Sequence, residues 1–283
     1  MAAERPKEQF VCGNVLASGL PGLNVQLDLS GWSALERRSA HYWYGQYGVN
    51  GSFSSQCPTV SVRVNPVPEA QHWNDVGGDR PHLFVDRCVW DAPNARWDVD
   101  VPHPIRRRRR WYVAYGVHLG FLAGCAAGLN GSSRRILHGG AVQVDNELTV
   151  ASLGASGQGK STLCRVLGHL QLGDEVVCID HQKRTVSGTP VPGEFAACDL
   201  KERPLGLLVL PERSVAGVAI RRVPKAEVVR HLLSAAIRCP GVDASTDLAW
   251  ASAVAEAVPA IGLAWDQAGV DEPRHALLDW WGS

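Results

Sequence analysis

The sequence has no excess charge of either sign. Its 283 residues carry 28 basic and 28 acidic side chains, so the formal net charge at pH 7 is zero. Proteins that capture nucleic acid or anionic membranes by general electrostatics need a basic excess. The balance therefore argues against both function classes, and we predict neither a nucleic-acid partner nor a membrane partner. The sequence leaves open whether the chain forms a homo-oligomer.

The sequence also lacks a recognisable secretion signal and a cysteine framework. The first eight residues are polar and charged, and no apolar segment of a signal peptide follows them. The eight cysteines are scattered, without a C-x-x-C pair or a metal-like cluster. We therefore expect buried free thiols in a cytoplasmic protein rather than disulfides.

Uninterrupted apolar runs are scarce, and one stretch needs a membrane check. Residues Trp111–Leu129 are mostly apolar and follow the five arginines Arg106–Arg110, a pattern that resembles a spanning helix with positive flanks. The run contains four glycines, two tyrosines and His118, which favours a buried helix instead. The arginine run is open to three interpretations: solvated surface, a phosphate-binding patch or a partner surface.

The first third of the chain has the pattern of short strands. Val25–Leu29, Val60–Asn65 and Trp97–Val101 alternate with period two, and proline and glycine separate them. We predict a β-rich N-terminal domain over residues 1–105 that contributes to acceptor binding. Its tryptophans line an acceptor cleft or fill the domain core, and the sequence leaves both open: Trp32, Trp43, Trp73, Trp90 and Trp97.

From residue 106 onward the pattern changes to alternating helices and strands, which is typical of α/β folds. We predict helices at 107–128, 160–169, 225–237, 246–257 and 272–281, and strands at 140–145, 148–153, 175–180, 206–210 and 218–223. The predicted fold class is therefore α/β, with a second domain over residues 106–283.

The strongest motif lies between a predicted strand and a predicted helix. It fits G-x-x-x-x-G-K-[ST], the phosphate loop of nucleotide-binding proteins. Glycines let backbone N–H groups point inward at phosphates, the lysine neutralises charge, and the serine hydroxyl ligates Mg²⁺. The predicted nucleotide-binding residues are Gly154, Ala155, Ser156, Gly157, Gln158, Gly159, Lys160, Ser161 and Thr162. The motif predicts ATP and Mg²⁺ as cofactors.

Two sequence positions compete for the carboxylate that serves the metal. Val176–Asp180 is an apolar run that ends in Asp180, the usual shape of a strand that ends in a metal ligand. Asp174 and Glu175 follow a weaker apolar run. The pattern alone favours Asp180.

A family resemblance changes this preference. His138 is followed by small residues, the phosphate loop comes next, and Gly168-His-Leu-Gln-Leu-Gly-Asp-Glu175 follows. This order of motifs is similar to that of the HPr kinase/phosphorylase superfamily. Members of that superfamily have the sequence Gly-His-x-Leu-x-x-Asp-Asp where this chain has residues 168–175. Residues 204–213 and 220–223 also resemble its compact, HPr-kinase-like relatives. The similarity covers about residues 136–283 and implies a P-loop kinase domain.

The resemblance implies roles for the matching residues. Asp174 would be the general base on the acceptor hydroxyl, Glu175 together with Ser161 would hold Mg²⁺, and His138 would lie near the phosphates. Glu175 replaces the second aspartate of the family and is one methylene longer, which changes the expected metal geometry. Arg221 and Arg222 follow a predicted strand and either reach a transferred phosphate or form ordinary surface.

Three functions follow as expectations. The first is an ATP-dependent kinase that phosphorylates a hydroxyl, either a serine in a peptide or protein or a small-molecule alcohol, as in natural-product tailoring. The second is a catalytically degenerate nucleotide-binding scaffold, which Glu175 motivates, together with the absence of the family's Gly-rich signature. The third is a GTPase or ATPase switch, although no guanine-selecting N-K-x-D motif occurs. The sequence does not name the acceptor.

Overall fold

The computed structural model shows a mixed α/β protein, which confirms the predicted fold class at that level. It describes the following residues: 15–21, 23–34, 37–38, 40, 57–68, 87–92, 96–103, 110–155, 157–191, 193, 199–213, 217–238, 245–266 and 272–283. Within them lie two sheets and five helices. The predicted aromatic residues Trp43 and Trp73, the arginines 106–109 and Ser156 lie outside the described residues.

The first sheet is built from the N-terminal part of the chain. Its five strands are β1 (Val15–Leu20), β2 (Leu23–Asp28), β3 (Thr59–Pro68), β4 (Arg87–Asp91) and β5 (Arg96–His103). Their order is β1-β2-β3-β5-β4, with β3 parallel to both β2 and β5. Trp32 is buried and donates its indole N–H to the Val64 carbonyl at 2.8 Å, and Trp97 packs against the same core. Both side chains therefore contribute to packing.

Helix α1 (Arg110–Gly128) covers this sheet through a stripe of glycines. Gly120, Gly124 and Gly128 are spaced four residues apart, so they share one face of the helix. A Cβ atom at Gly124 would lie 2.7 Å from a methyl carbon of Val62, and one at Gly128 would lie 2.6 Å from a methyl carbon of Val60. The absence of side chains lets the helix backbone rest directly on the valines of β3.

The second sheet has nine strands. They are β6 (Arg134–Gln143), β7 (Thr149–Leu153), β8 (Leu170–Gly173), β9 (Val176–Asp180), β10 (Thr185–Gly188), β11 (Arg203–Pro204), β12 (Leu207–Arg213), β13 (Ala219–Arg222) and β14 (Ala260–Trp265). The order is β11-β10-β9-β6-β7-β12-β14-β13, and β8 pairs with β6. Strands β7, β12 and β14 are parallel, so their carboxyl ends meet at one edge, where ligands bind in open α/β sheets.

Helices cover both faces of this sheet. The remaining four are α2 (Lys160–Leu167), α3 (Lys225–Ala235), α4 (Ser245–Ala257) and α5 (Glu272–Gly282). Helices α3 and α4 pack on one face, and α2 and α5 pack on the other. Beside β6 and β9, the core of the first sheet continues onto the second through Ile136, Val176 and Cys178. Helix α1 therefore lies between the two sheets.

A buried arginine joins three elements beside this helix. The Arg135 guanidinium donates to Asp247 Oδ1 at 2.8 Å, to Thr246 Oγ1 at 2.9 Å and to the Leu129 carbonyl at 2.9 Å. It thereby links strand β6, the first turn of α4 and the chain just after α1. Arg135 and Asp247 are each 6% exposed, so neither charge is solvated by bulk water. Asp247 also forms a salt bridge with Arg238, with 2.9 Å between Asp247 Oδ2 and Arg238 Nε.

Most of the predicted elements are confirmed, with shifted ends. The strand expected at 140–145 begins at Arg134, and the helix expected at 107–128 is described over Arg110–Gly128, since residues 107–109 lie outside the described residues. Five short strands, β1, β4, β8, β10 and β11, were not predicted, nor was the longer β14. Among the described residues, no helix is both long and apolar enough to span a membrane.

Replacing Gly124 by alanine should destabilise the protein, because the new methyl group would overlap Val62 and Val25. We expect a loss of about 1–3 kcal/mol in the free energy of unfolding, measured by urea denaturation. Gly282→Ala is the matched control, since a Cβ atom there meets nothing within 4 Å. Equal stability of the two variants would contradict the tight contact between helix and sheet.

Replacing Arg135 by methionine should cost up to about 3–5 kcal/mol, because several carbonyl groups lose their donor and the buried Asp247 carboxylate keeps only Arg238 as a partner. Arg63→Met is the control, since its salt bridge with Asp28 is partly exposed, and should cost less than about 1 kcal/mol. Thermal and urea unfolding of both variants measure the difference. A loss at Arg135 no larger than the loss at Arg63 would show that the buried network contributes little.

Candidate nucleotide and catalytic site

The glycine-rich loop connects the carboxyl end of β7 to the first turn of α2. Its three glycines have positive φ angles: +155° at Gly154, +78° at Gly157 and +90° at Gly159. Residues with a Cβ atom rarely adopt this region, so the loop requires glycine at these positions. Thr162 lies in the first turn of α2 and is half-buried. The described glycines of the loop therefore have backbone angles that favour glycine.

The loop makes contacts within itself. The Ala155 N–H donates to Gln158 Oε1 at 2.7 Å, and Lys160 Nζ donates to the Ala155 carbonyl at 2.9 Å. Lys160 is only 6% exposed. Burial lowers the pKa of Lys160, while the negative charge of Glu175 acts in the opposite direction. The ammonium group therefore lies against the loop, within electrostatic reach of the Glu175 carboxylate.

The turn between β8 and β9 brings two carboxylates to this loop. Asp174 and Glu175 form the turn, and the Gly139 N–H of β6 donates to the Glu175 carbonyl at 3.1 Å. The Ser161 hydroxyl donates to the main-chain carbonyl of Asp174 at 3.5 Å. Strand β6 thus holds the turn beside the first turn of α2.

Glycine also allows this approach from the β6 side. A Cβ atom at Gly140 would lie 2.5 Å from Cys164 Sγ and 3.6 Å from the Asp174 Cα atom. Burial and the nearby Asp174 charge raise the pKa of Cys164 to about 12, so this thiol stays protonated at neutral pH. Gly140 therefore lets α2 and the carboxylate turn pack closely on β6.

The two carboxylates differ in exposure. Asp174 is only 3% exposed, and the backbone of Gly193 packs so closely on its carboxylate that a Cβ atom there would collide with it. The Glu175 side chain is 50% exposed, and its Oε1 lies 3.7 Å from His138 Nε2. The structure therefore brings the half-exposed Glu175 carboxylate together with the largely buried side chains of His138 and Lys160, and the adjacent Asp174 is buried.

The competing carboxylate, Asp180, lies at the other end of β9. It lies four residue steps from Val176, which corresponds to roughly 13 Å along the strand. Its side chain forms a salt bridge with Arg134 at 3.0 Å and accepts the backbone N–H groups of Gln182 and Lys183. Burial alone would raise the pKa of Asp180, but these hydrogen bonds keep it below its usual value. Asp180 thus stabilises the turn that follows β9, at the end of the strand that is distant from the phosphate loop.

Arg221 is held by two glutamates. It donates to Glu212 Oε1 at 2.8 Å through Nε and to Glu227 Oε1 at 2.8 Å. The hydrogen bonds that Arg221 donates to these carboxylates, above all the one to Glu227, raise the pKa of Arg221 further above its usual value. Arg222 follows on the opposite side of the strand. Arg221 is therefore held by two carboxylates, whereas Arg222 points to the other side of the strand.

Sequence reasoning missed Trp265, whose ring packs against the glycine-rich loop at Gly159. It ends β14 and is only 3% exposed, and a Cβ atom at Gly159 would lie 3.6 Å from its ring. Proximity to the loop depends on β14 lying two strands from β7, and no local motif in the sequence carries that information. The short run Ala260–Trp265 has the composition of a buried strand, which is the one signal that could have revealed it.

The oxygen atoms near the loop match the ligand chemistry of Mg²⁺. This cation takes one or two carboxylates and completes its shell with substrate phosphates and water. Ser161 and the turn Asp174–Glu175 offer such oxygens beside the loop. Among the described residues, no group of three or more His, Cys, Asp or Glu side chains could hold a metal by itself.

No protein-family model matches the chain, and no curated protein is a significant match. The resemblance to the HPr kinase/phosphorylase superfamily therefore stays a prediction that rests on the motif residues.

Proposed function

We propose that the protein is an ATP-dependent kinase that transfers the γ-phosphoryl group to a hydroxyl. The observation that carries the proposal is the convergence of the phosphate loop with the Asp174–Glu175 turn, through Ser161 and Lys160. A phosphate cradle alone would serve any nucleotide-binding protein, whereas a carboxylate beside it suits proton removal from an acceptor alcohol.

The loop and α2 would bind the nucleotide phosphates. The backbone N–H groups between Gly154 and Lys160 and the N-terminus of α2 attract anionic oxygens. Lys160 would exchange the Ala155 carbonyl for a phosphate oxygen, and this exchange recovers a stronger, charge-assisted hydrogen bond. Gln158 would likewise release the Ala155 N–H to the phosphate.

Ser161 and one carboxylate of the turn would hold Mg²⁺, which neutralises charge on the phosphate oxygens when it is bound. The chain's own residues would position the rest. The hydrogen bond from the Ser161 hydroxyl to the Asp174 main-chain carbonyl links the loop to the turn. The Gly139 N–H fixes the turn on β6.

Exposure supports an exchange of the two carboxylate roles implied by the family resemblance. Glu175 reaches solvent and lies beside His138, so it can meet an acceptor hydroxyl, orient it and take its proton late in the transfer. The Asp174 carboxylate is covered by Gly193 and lies within electrostatic reach of Cys164 in α2, and the Asp174 main-chain carbonyl accepts the Ser161 hydroxyl. We therefore assign the base to Glu175, orientation of that carboxylate to His138, and the metal side to Asp174.

The acceptor is a peptide serine or a small-molecule alcohol, and we propose that the reaction takes place in the cytoplasm without nucleic acid or membrane. A nucleotide-binding regulatory protein without transfer activity is the alternative. The burial of Asp174 favours this alternative, because a carboxylate that cannot reach an acceptor or a metal would serve only the fold.

Replacing Lys160 by methionine should weaken the binding of ATP·Mg²⁺ at least about 10-fold, because a charge-assisted hydrogen bond contributes about 1.5–3 kcal/mol. Isothermal titration calorimetry measures the affinity. Lys183→Met is the matched control, since Lys183 pairs with Glu202 in the turn after β9 and should not affect binding. Unchanged affinity in the Lys160 variant would rule out the phosphate loop as the nucleotide site.

Replacing Glu175 by glutamine should reduce phosphoryl transfer by about 10²–10⁴ and leave ATP affinity within a few-fold, because it removes the proton acceptor and keeps the shape. Product formation is followed by mass spectrometry with free serine, serine peptides and simple alcohols as acceptors. Asp174→Asn should lower ATP·Mg²⁺ affinity instead. Loss of transfer in Asp174→Asn alone would restore the roles that the resemblance implies, and the absence of any product from the wild type would favour the regulatory alternative.

A further inference from the structure

A cavity lies at the opposite edge of the sheet from the phosphate loop. Its volume is about 420 Å³, within the usual range for small-molecule sites. It opens where β13 ends, α3 begins and α4 leads into β14. The floor is apolar and consists of Val228, Ala255 and Val258, all of them buried, and Trp280 of α5 lines one side.

Three charged side chains line this cavity. Lys225 and Glu256 form a salt bridge with each other across its rim. Arg222 is exposed, and among the residues that the structure describes no carboxylate pairs with it. Its neighbour Arg221 is already held by Glu212 and Glu227 on the other side of the strand. The cavity therefore presents one uncompensated guanidinium above an apolar floor.

We propose that this cavity binds a small aromatic carboxylate. The Arg222 guanidinium matches a carboxylate in geometry and charge and can bind it through two parallel hydrogen bonds. The apolar floor and the Trp280 ring would cover the hydrocarbon part of the ligand. A purely inorganic anion would leave that floor exposed to water, and a neutral aromatic would leave Arg222 without a partner.

The position of the cavity separates it from the proposed phosphoryl transfer. Strand β14 contributes Ala260 to the cavity and Trp265 to the contact with the phosphate loop, and five residue steps correspond to roughly 17 Å. A ligand in the cavity lies too far away to accept a phosphoryl group from the loop. It would be a second ligand, and its binding does not depend on the proposed kinase activity.

Phenylacetate is the probe, with phenylacetamide as its neutral isostere and acetate as the anion without the ring. We expect phenylacetate to bind the full chain with a Kd of about 1 mM, as is usual for a fragment-sized ligand, measured by protein-observed NMR in the absence of nucleotide. Both comparison compounds should bind at least about 10-fold more weakly, because phenylacetamide lacks the carboxylate that pairs with Arg222 and acetate lacks the ring that covers the apolar floor.

Arg222→Gln should reduce phenylacetate affinity at least about 10-fold, because it removes the charge-assisted pair. Arg230→Gln is the matched control, since Arg230 is an exposed arginine of α3 that does not line the cavity. Ala257→Phe, which places a ring in the cavity, should also abolish binding. No binding of phenylacetate to the wild type, equal binding of phenylacetamide, or full affinity in Arg222→Gln would each overturn the proposal.

Discussion

The buried guanidinium of Arg135 is the interaction on which the arrangement of the layers depends. It satisfies carbonyl groups just after α1, the Thr246 hydroxyl and the Asp247 carboxylate at the start of α4. Transferring a guanidinium from water to the protein interior costs free energy. This cost is offset only when the buried N–H donors have hydrogen-bond partners. Because Arg135 belongs to β6, the network fixes the strand that pairs with β7, β8 and β9.

Strand β6 transmits this anchoring to the candidate site. Its first residues, Arg134 and Arg135, are held by carboxylates, and its middle residues His138, Gly139 and Gly140 contact the carboxylate turn and α2. A strand is stiff along its length, so the end that carries the ion pairs determines where the other end presents its histidine and glycines. The site is thus supported by a network whose residues take no part in its chemistry.

The phosphate loop and its flanking elements are predictable from sequence, because their requirements are local. Gly154, Gly157 and Gly159 need unusual backbone angles, and Lys160 and Ser161 follow directly in the chain. The choice between Asp174 and Asp180 is not local, since the apolar pattern favours Asp180 whereas the pairing of β9 with β6 carries Asp180 to the far end.

Contacts between distant segments account for what sequence reasoning missed. The packing of Trp265 under Gly159 and of Gly193 on Asp174 joins parts of the chain that have no common motif. The predicted buried helix at 107–128 is present as α1, but the reason for its glycines appears only when β3 lies beneath them. Composition identified the helix, and only the three-dimensional arrangement explains its glycine content.

The ion pair between Arg135 and Asp247 also constrains the order in which the protein can fold. The two residues are 112 positions apart, and Trp250 reaches back 117 positions to the carbonyl of Ser133. Closing loops of this length must precede any gain from the contacts, which makes such topologies slow to fold. The first sheet and α1 come from a continuous early stretch of chain, whereas β6 obtains its electrostatic partner only after α4 has been synthesised.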